Sequence, residues 1–378
     1  MSEPKPRICN FNAGPAALPL AALERARDEL VDFEGSGMSI MEHSHRGRAY
    51  ERVHEEAKSL LAKLLGLSPD WEVLLVQGGA SMAFATIPMN LLPAGRSADY
   101  VVTGTWGEKA VAEAKAVAAL GGGSVRIAGT TLTNKTYVRV PAPAELSLDP
   151  NAAYLHCTSN ETIHGVQYAV SDATPLAAGA NASVPVIVDM SSDILARSVD
   201  TSSFSLIYAG AQKNLGPSGV TVVAIRKELV ARGRTDLPTI FQFRTHAANA
   251  SLYNTPPTFG IYLMRNVLSW LDAEGGVAVI EQRNCAKASL LYRAIDESGG
   301  FYTCPVEPSC RSIMNVVWRL AKPELDDAFV SEAEARGLVG LRGHRSVGGM
   351  RASLYNAVEP AWVEQLTSFM KDFSARRG

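Results

Sequence analysis

A chain of 378 residues, 47% hydrophobic and 20% charged, has the length and composition of a soluble globular protein with room for two cored domains. Its formal net charge of −2 excludes a general pull toward nucleic acid or membrane surfaces, so any anion site must come from a local cluster of Arg and His. Five cysteines without a C-x-x-C pair exclude a zinc ribbon or redox motif and fit a reducing compartment.

The chain opens with "MSEPKPRICNFNAGPAALP", which lacks the apolar core of a signal peptide. No run approaches the ~18 apolar residues of a membrane span. The expectation is a cytoplasmic protein. "WEVLLVQGG" (71–79) reads as a strand and glycine turn, and "ASMAFATIPMNLL" (80–92) as the following helix. "ADYVVTG" (98–104) is the next strand, followed by the Ala-rich helix "GEKAVAEAKAVAAL" (107–120). "AAYLHCT", "VPVIVDM", "SLIYAGA" and "GVTVVAI" supply four more strands. Continuous apolar runs alternating with helices predict a mostly parallel α/β sheet. From about residue 256 two long helices follow, "PTFGIYLMRNVLSWLDAE" and "GVAVIEQRNCAKASLLYRAIDES", joined at Gly275 and Gly276. Then come a strand "MNVVWRL", a helix through "ELDDAFVSEAEARG", short strands near 338–341 and 350–354, and a terminal helix over 360–374. The expected division is an N-terminal segment (1–15) packing with the small domain, a large α/β domain (16–260) and a small α+β domain (261–378).

Lys213 stands out in "YAGAQKNLGPSGVTVV", between two strand-like runs, with only small, amide or apolar neighbours. A strand-end lysine reaching water would explain it alone. The alternative is an amine that condenses with a cofactor aldehyde. Pyridoxal phosphate would then need a carboxylate for its ring nitrogen, a cup of donors for its phosphate and a flat surface for its ring. Asp189, ending "VPVIVDM", is the candidate carboxylate. The turn "QGGAS" (77–81) before a helix is the candidate cup, and Trp106 the candidate stacking surface. Each is weak alone, but all fall at carboxyl ends of strands, where open α/β sheets place ligands. Two His-Arg pairs beside glycine, His45–Arg46 and His344–Arg345, join the arginine of "GGMRAS" as an anion-binding set.

The segments "FNAGPAALP", "MSIMEHSHRG", "SNETIHGVQ", "YAGAQKNLGPSG", "NTPPTF" and "GHRSVGGMRASLYN" run nearly end to end. Through them the chain resembles the pyridoxal-phosphate-dependent aminotransferases of class V, and among these the branch that makes phosphoserine. The resemblance implies the fold-type I architecture of these transferases. It implies Lys213 as the lysine bonded to the cofactor, Asp189 at the ring nitrogen, Trp106 on the ring and Thr162 near the ring oxygen. The phosphate would be held by Ala80, Ser81 and Gln212, and by Asn254 and Thr255 from the second subunit of a homodimer with shared sites. Arg351 would take the substrate α-carboxylate, and His45, Arg46, His344 and Arg345 the distal phosphate or carboxylate.

The implied reaction moves an amino group between L-glutamate and 3-phosphohydroxypyruvate, with 4-phosphohydroxy-L-threonine of vitamin B6 synthesis compatible with the same site. No metal, nucleic acid or membrane partner is implied. Ser81 stands where some relatives carry an arginine, which implies altered substrate affinity. Alanine–glyoxylate-type transamination and cysteine desulfuration through Cys304 or Cys310 are the alternatives within the class. A non-catalytic cofactor-binding regulator is the alternative outside it.

Overall fold

The computed structural model describes residues 7–169 and 183–378. The central sheet has seven strands: β1 (Trp71–Gln77), β2 (Ser97–Val102), β3 (Ser124–Thr130), β4 (Leu155–Thr158), β5 (Val186–Asp189), β6 (Leu206–Gly210) and β7 (Val220–Arg226). Their spatial order is β1-β7-β6-β5-β4-β2-β3. β7 runs antiparallel to both its neighbours, and every other pairing is parallel. Residues 211–219, which join β6 to β7, are fewer than the dozen or more a parallel crossover needs, so the chain must turn back.

Both faces of the sheet are covered, which is why its strands read as unbroken apolar runs rather than alternations. On β7, Val220, Val222 and Ala224 share a core with Ala57, Leu61 and Leu65 of the helix Arg48–Leu65 and with Met264 and Leu268 of the helix Thr258–Ala273. Val223 and Ile225 face the other way, into a core with Phe84 and Ile87 of the helix Ala80–Leu91 and Val111 and Ala114 of the helix Thr105–Gly121. The result is a three-layer α/β/α body.

Among the elements that escaped the sequence reading are the helices Arg48–Leu65 and Leu20–Asp28 and the strand β3. The helix Arg48–Leu65 was legible: Tyr50, Val53, His54, Ala57, Leu61 and Leu65 are its buried residues, at helical spacing. The short helix Leu20–Asp28 buries only two alanines, Ala22 and Ala26. β3 is an edge strand, largely exposed over its first half, so it needs no apolar run.

The C-terminal unit is a three-stranded antiparallel sheet, Tyr302–Thr303, Asn315–Leu320 and Met350–Ser353, with Asn315–Leu320 in the centre. The helices Gly276–Asp296, Asp326–Ala335 and Pro360–Arg377 bury it around Trp318, Phe329 and Phe369. Cys9–Asn10 pairs in parallel with Leu338–Val339, and Phe11 is buried in this same core. Residues 1–6 of the expected N-terminal segment lie outside the described residues. The boundary expected at 260/261 falls inside the helix Thr258–Ala273, whose Ile261, Met264, Leu268 and Leu271 belong to the large core together with Ile280. Ala288 and Leu291, further along the next helix, pack in the small core. We therefore propose a boundary between 280 and 288, because one long helix serves both cores.

Candidate active site

The candidate side chains lie just past carboxyl ends of β2, β4, β5 and β6, which neighbour one another in the sheet, and of β1, which lies beyond β7. β4 leads into the two-stranded hairpin Asn160–Glu161 with Val166–Gln167, whose turn carries Thr162. β5 ends on Asp189, which pairs with Thr158 on one side and Tyr208 on the other. β6 ends at Gly210, shortly before Gln212 and Lys213. β2 is followed by the helix that opens with Thr105 and Trp106. β1 passes through Gly78 and Gly79, at φ 112° and 97°, into the helix starting at Ala80. That left-handed pair is a conformation glycine adopts without penalty. Ala80, Ser81, Trp106, Thr162, Asp189, Gln212 and Lys213 all line one cavity of about 130 Å³.

Lys213 is 8% exposed, and its Nζ donates to Thr162 Oγ1 at 2.7 Å and lies 5.7 Å from the Trp106 ring centroid. Burial lowers its pKa to about 8, against the opposing pull of Asp189 and Glu161, while Arg351 lowers it further. Near pH 8 about half such amines are neutral, the form that attacks a carbonyl. Asp189 is also buried, and its Oδ1 accepts the Ser191 N–H at 2.8 Å. Burial pushes its carboxyl up, while Ser191 and the Lys213 ammonium hold it down.

The cavity also holds groups with unused hydrogen-bonding capacity. Thr158 Oγ1 and Trp106 Nε1 are buried without a partner among the described residues. The amides of Ala80 and Ser81, at a helix N-terminus, likewise have no acceptor among them. A buried amine, a buried carboxylate, an indole face and an open helix end make a donor set that fits pyridoxal phosphate. The amine suits its aldehyde, the carboxylate its ring nitrogen and the helix end its phosphate.

Arg351, like His344 and Arg345, is not in the lining of this cavity, but it reaches the Thr162 that is. Its Nη1 donates to the Thr162 carbonyl at 3.2 Å, and its buried Nε is unpaired among the described residues. Burial lowers the pKa of the guanidinium. His344 is half-buried, with Nδ1 2.7 Å from Ser346 Oγ. Burial and then the cations Arg351, Arg345 and Lys109 disfavour its protonated form. Lys109 was missed in the sequence, although its Nζ sits 4.5 Å over the Trp106 ring. Glu161 was missed too, since a carboxylate beside Thr162 carries no sequence mark of being fully buried.

The remaining candidates gather elsewhere within a single chain. Thr255 Oγ1 lies 3.4 Å from His45 Nδ1, with Arg46 exposed beside it. Asn254 lines a different cavity of about 270 Å³, with Met82, Ile240 and Phe241. None of His45, Arg46, Asn254 and Thr255 lines the Lys213 cavity. Nor do Cys304 and Cys310, the latter buried with its Sγ accepting the Val140 N–H at 3.4 Å. Among the described residues there is no cluster of His, Cys, Asp and Glu that could hold a metal ion, and no helix long and apolar enough to cross a membrane.

The family model described as "Aminotransferase class-V" matches residues 8–366. The chain is 52% identical to a curated phosphoserine aminotransferase from Niallia circulans, over 98% of this chain and 99% of that protein. Among solved structures, phosphoserine aminotransferase from Bacillus circulans subsp. alkalophilus superposes with a TM-score of 0.92 at 52% identity, covering 98% of this chain and 99% of that one. The PLP-bound phosphoserine aminotransferase from Trichomonas vaginalis does so with a TM-score of 0.89 at 37% identity, covering 97% and 100%. The chain therefore belongs to the class-V aminotransferase family, in the branch formed by the phosphoserine aminotransferases.

Proposed function

We propose that the chain transfers an amino group between L-glutamate and 3-phosphohydroxypyruvate, giving O-phospho-L-serine and 2-oxoglutarate, with pyridoxal 5′-phosphate in the Lys213 cavity and in the cytoplasm. The observation that carries this reading is the buried Lys213 amine sharing one cavity with Asp189, Trp106 and Thr162, the last of which Arg351 bonds through its carbonyl. When bound, the cofactor supplies an electron sink for the bonds at the substrate Cα. Lys213 Nζ would take the Cα proton as general base and, as general acid, pass it to the cofactor's C4′ carbon, the shift of proton that lets the amino group change carriers. Thr162 Oγ1 fixes that nitrogen. Arg351 takes the α-carboxylate with the fork geometry of its guanidinium. His344 and Arg345 take the distal anion, a phosphate in one substrate and a carboxylate in the other, so one site serves both. Initial rates with the two substrates varied together should give parallel double-reciprocal lines. Intersecting lines would exclude a ping-pong exchange.

His45, Arg46, Asn254 and Thr255 enter this reading through a homodimer. They cluster with one another but away from the Lys213 cavity of their own chain. A twofold axis would let each chain lend them to the other's site. Mixing subunits tests this. Lys213→Ala and the double variant Asn254→Ala, Thr255→Ala should each be nearly inactive alone. A trans arrangement leaves one intact site in each mixed dimer, so activity should return toward about a quarter of the wild-type value after full exchange. No recovery would mean that the loop serves its own chain.

A further inference from the structure

We propose that Glu161 is a positioning residue for the reaction: its carboxylate anchors the first turn of the helix Thr105–Gly121 and so holds the Trp106 indole beside the Lys213 amine. The helix has no side-chain cap of its own, because Gly104 occupies the capping position. Glu161 supplies one from a separate strand. Its Oε2 accepts the Trp106 N–H at 3.1 Å, and its Oε1 accepts the Gly107 N–H at 2.9 Å. A carboxylate there satisfies free amides and meets the positive end of the helix dipole. Gly104 makes the room, since a Cβ at that position would lie 2.3 Å from Glu161 Cδ.

Residues 161 and 162 then act as one node. Thr162 Oγ1 accepts from Lys213 Nζ, and the Thr162 carbonyl accepts from Arg351 Nη1. The strand itself is pinned at its other residue, where Asn160 Nδ2 donates to Ser192 Oγ and Asn315 Oδ1, both at 2.8 Å. Amine, indole and guanidinium are thereby referenced to two adjacent residues. The Trp106 indole N–H is buried without a partner among the described residues, so no hydrogen bond of its own fixes the ring, which is placed by packing against the core and by the backbone that Glu161 holds.

This inference rests on reading Trp106 and Lys213 as cofactor-facing residues, and the test separates the two. In cofactor-free protein, Glu161→Ala should speed hydrogen exchange of the residue 106 and 107 amides by ~10-fold or more, the equivalent of one lost cap. The near-isosteric Glu161→Gln keeps one acceptor oxygen and should recover part of that protection. Pyridoxal phosphate affinity, titrated by quenching of tryptophan emission, should weaken in the same order, by ~10-fold for the alanine variant. Gly104→Ser should weaken affinity in the wild type, where its Cβ meets Glu161. In the Glu161→Ala background the same serine has space to cap the helix and should restore affinity. Unchanged exchange at 106 and 107, or faster exchange with unchanged affinity and no reversal by Gly104→Ser, would overturn the proposal. A wild type that binds no pyridoxal phosphate would overturn it together with the reading beneath it.

Discussion

Lys213→Ala is expected to lower turnover by about 10³-fold or more, because it removes both the amine proposed to bond the cofactor and the group proposed to move the Cα proton. Positioned general acid–base catalysis alone is worth roughly 10²–10⁴-fold. Borohydride treatment of the wild type followed by peptide mapping should place the label on Lys213. Retention of more than about a tenth of wild-type turnover would exclude an essential base, given that range, and label on another lysine would refute the assignment. A stability measurement separates loss of chemistry from loss of fold. The folded protein holds this amine near 8, below its ordinary 10.5. Between those values the unfolded chain binds more protons than the folded one, so cofactor-free protein should gain stability as pH rises from about 8 to about 10.5. Lys213→Ala should flatten that rise without unfolding the protein at neutral pH.

Asp189→Asn should leave the fold intact and cut kcat by about 10²-fold, since a hydrogen bond to a charged group is worth roughly 1.5–3 kcal/mol before any effect on the ring's electronics. The amide keeps an oxygen for the Ser191 N–H, so the local turn survives. What it lacks is the negative charge that, on the proposed reading, would keep a bound ring nitrogen protonated. A variant that binds cofactor with near-wild-type kcat would make Asp189 a structural residue holding the β5 turn.

The fold was legible where burial is two-sided. β1, β2, β4, β5, β6 and β7 announce themselves as apolar runs because helices cover both faces. The direction of β7 was also open to reading, since the short link after β6 forbids a parallel return. β3 was not, because an edge strand carries no comparable run. The candidate site was legible as positions along the chain. Lys213, Asp189, Trp106 and the turn before Ala80 follow from their places at strand ends. Glu161 stayed hidden, because what marks it is contact with the Trp106 and Gly107 amides across the fold. Lys109, by contrast, lies at i+3 from Trp106 on the same helix and was open to reading. The separation of His45 and Thr255 from the Lys213 cavity also lay beyond sequence, being a fact of three-dimensional placement.

The most direct test of the proposed function is the half-reaction of cofactor-loaded protein with one amino acid and no acceptor, followed by the absorbance change of the cofactor. O-phospho-L-serine and L-glutamate should each convert the cofactor in a single turnover, and L-alanine, lacking a distal anion, should do so far more slowly. Arg345→Ala and Arg46→Ala should slow the first two by roughly 10- to 100-fold, the worth of one charge-assisted hydrogen bond, and leave alanine unchanged. Conversion by L-alanine as fast as by O-phospho-L-serine, or equal losses for all three in the arginine variants, would contradict the account.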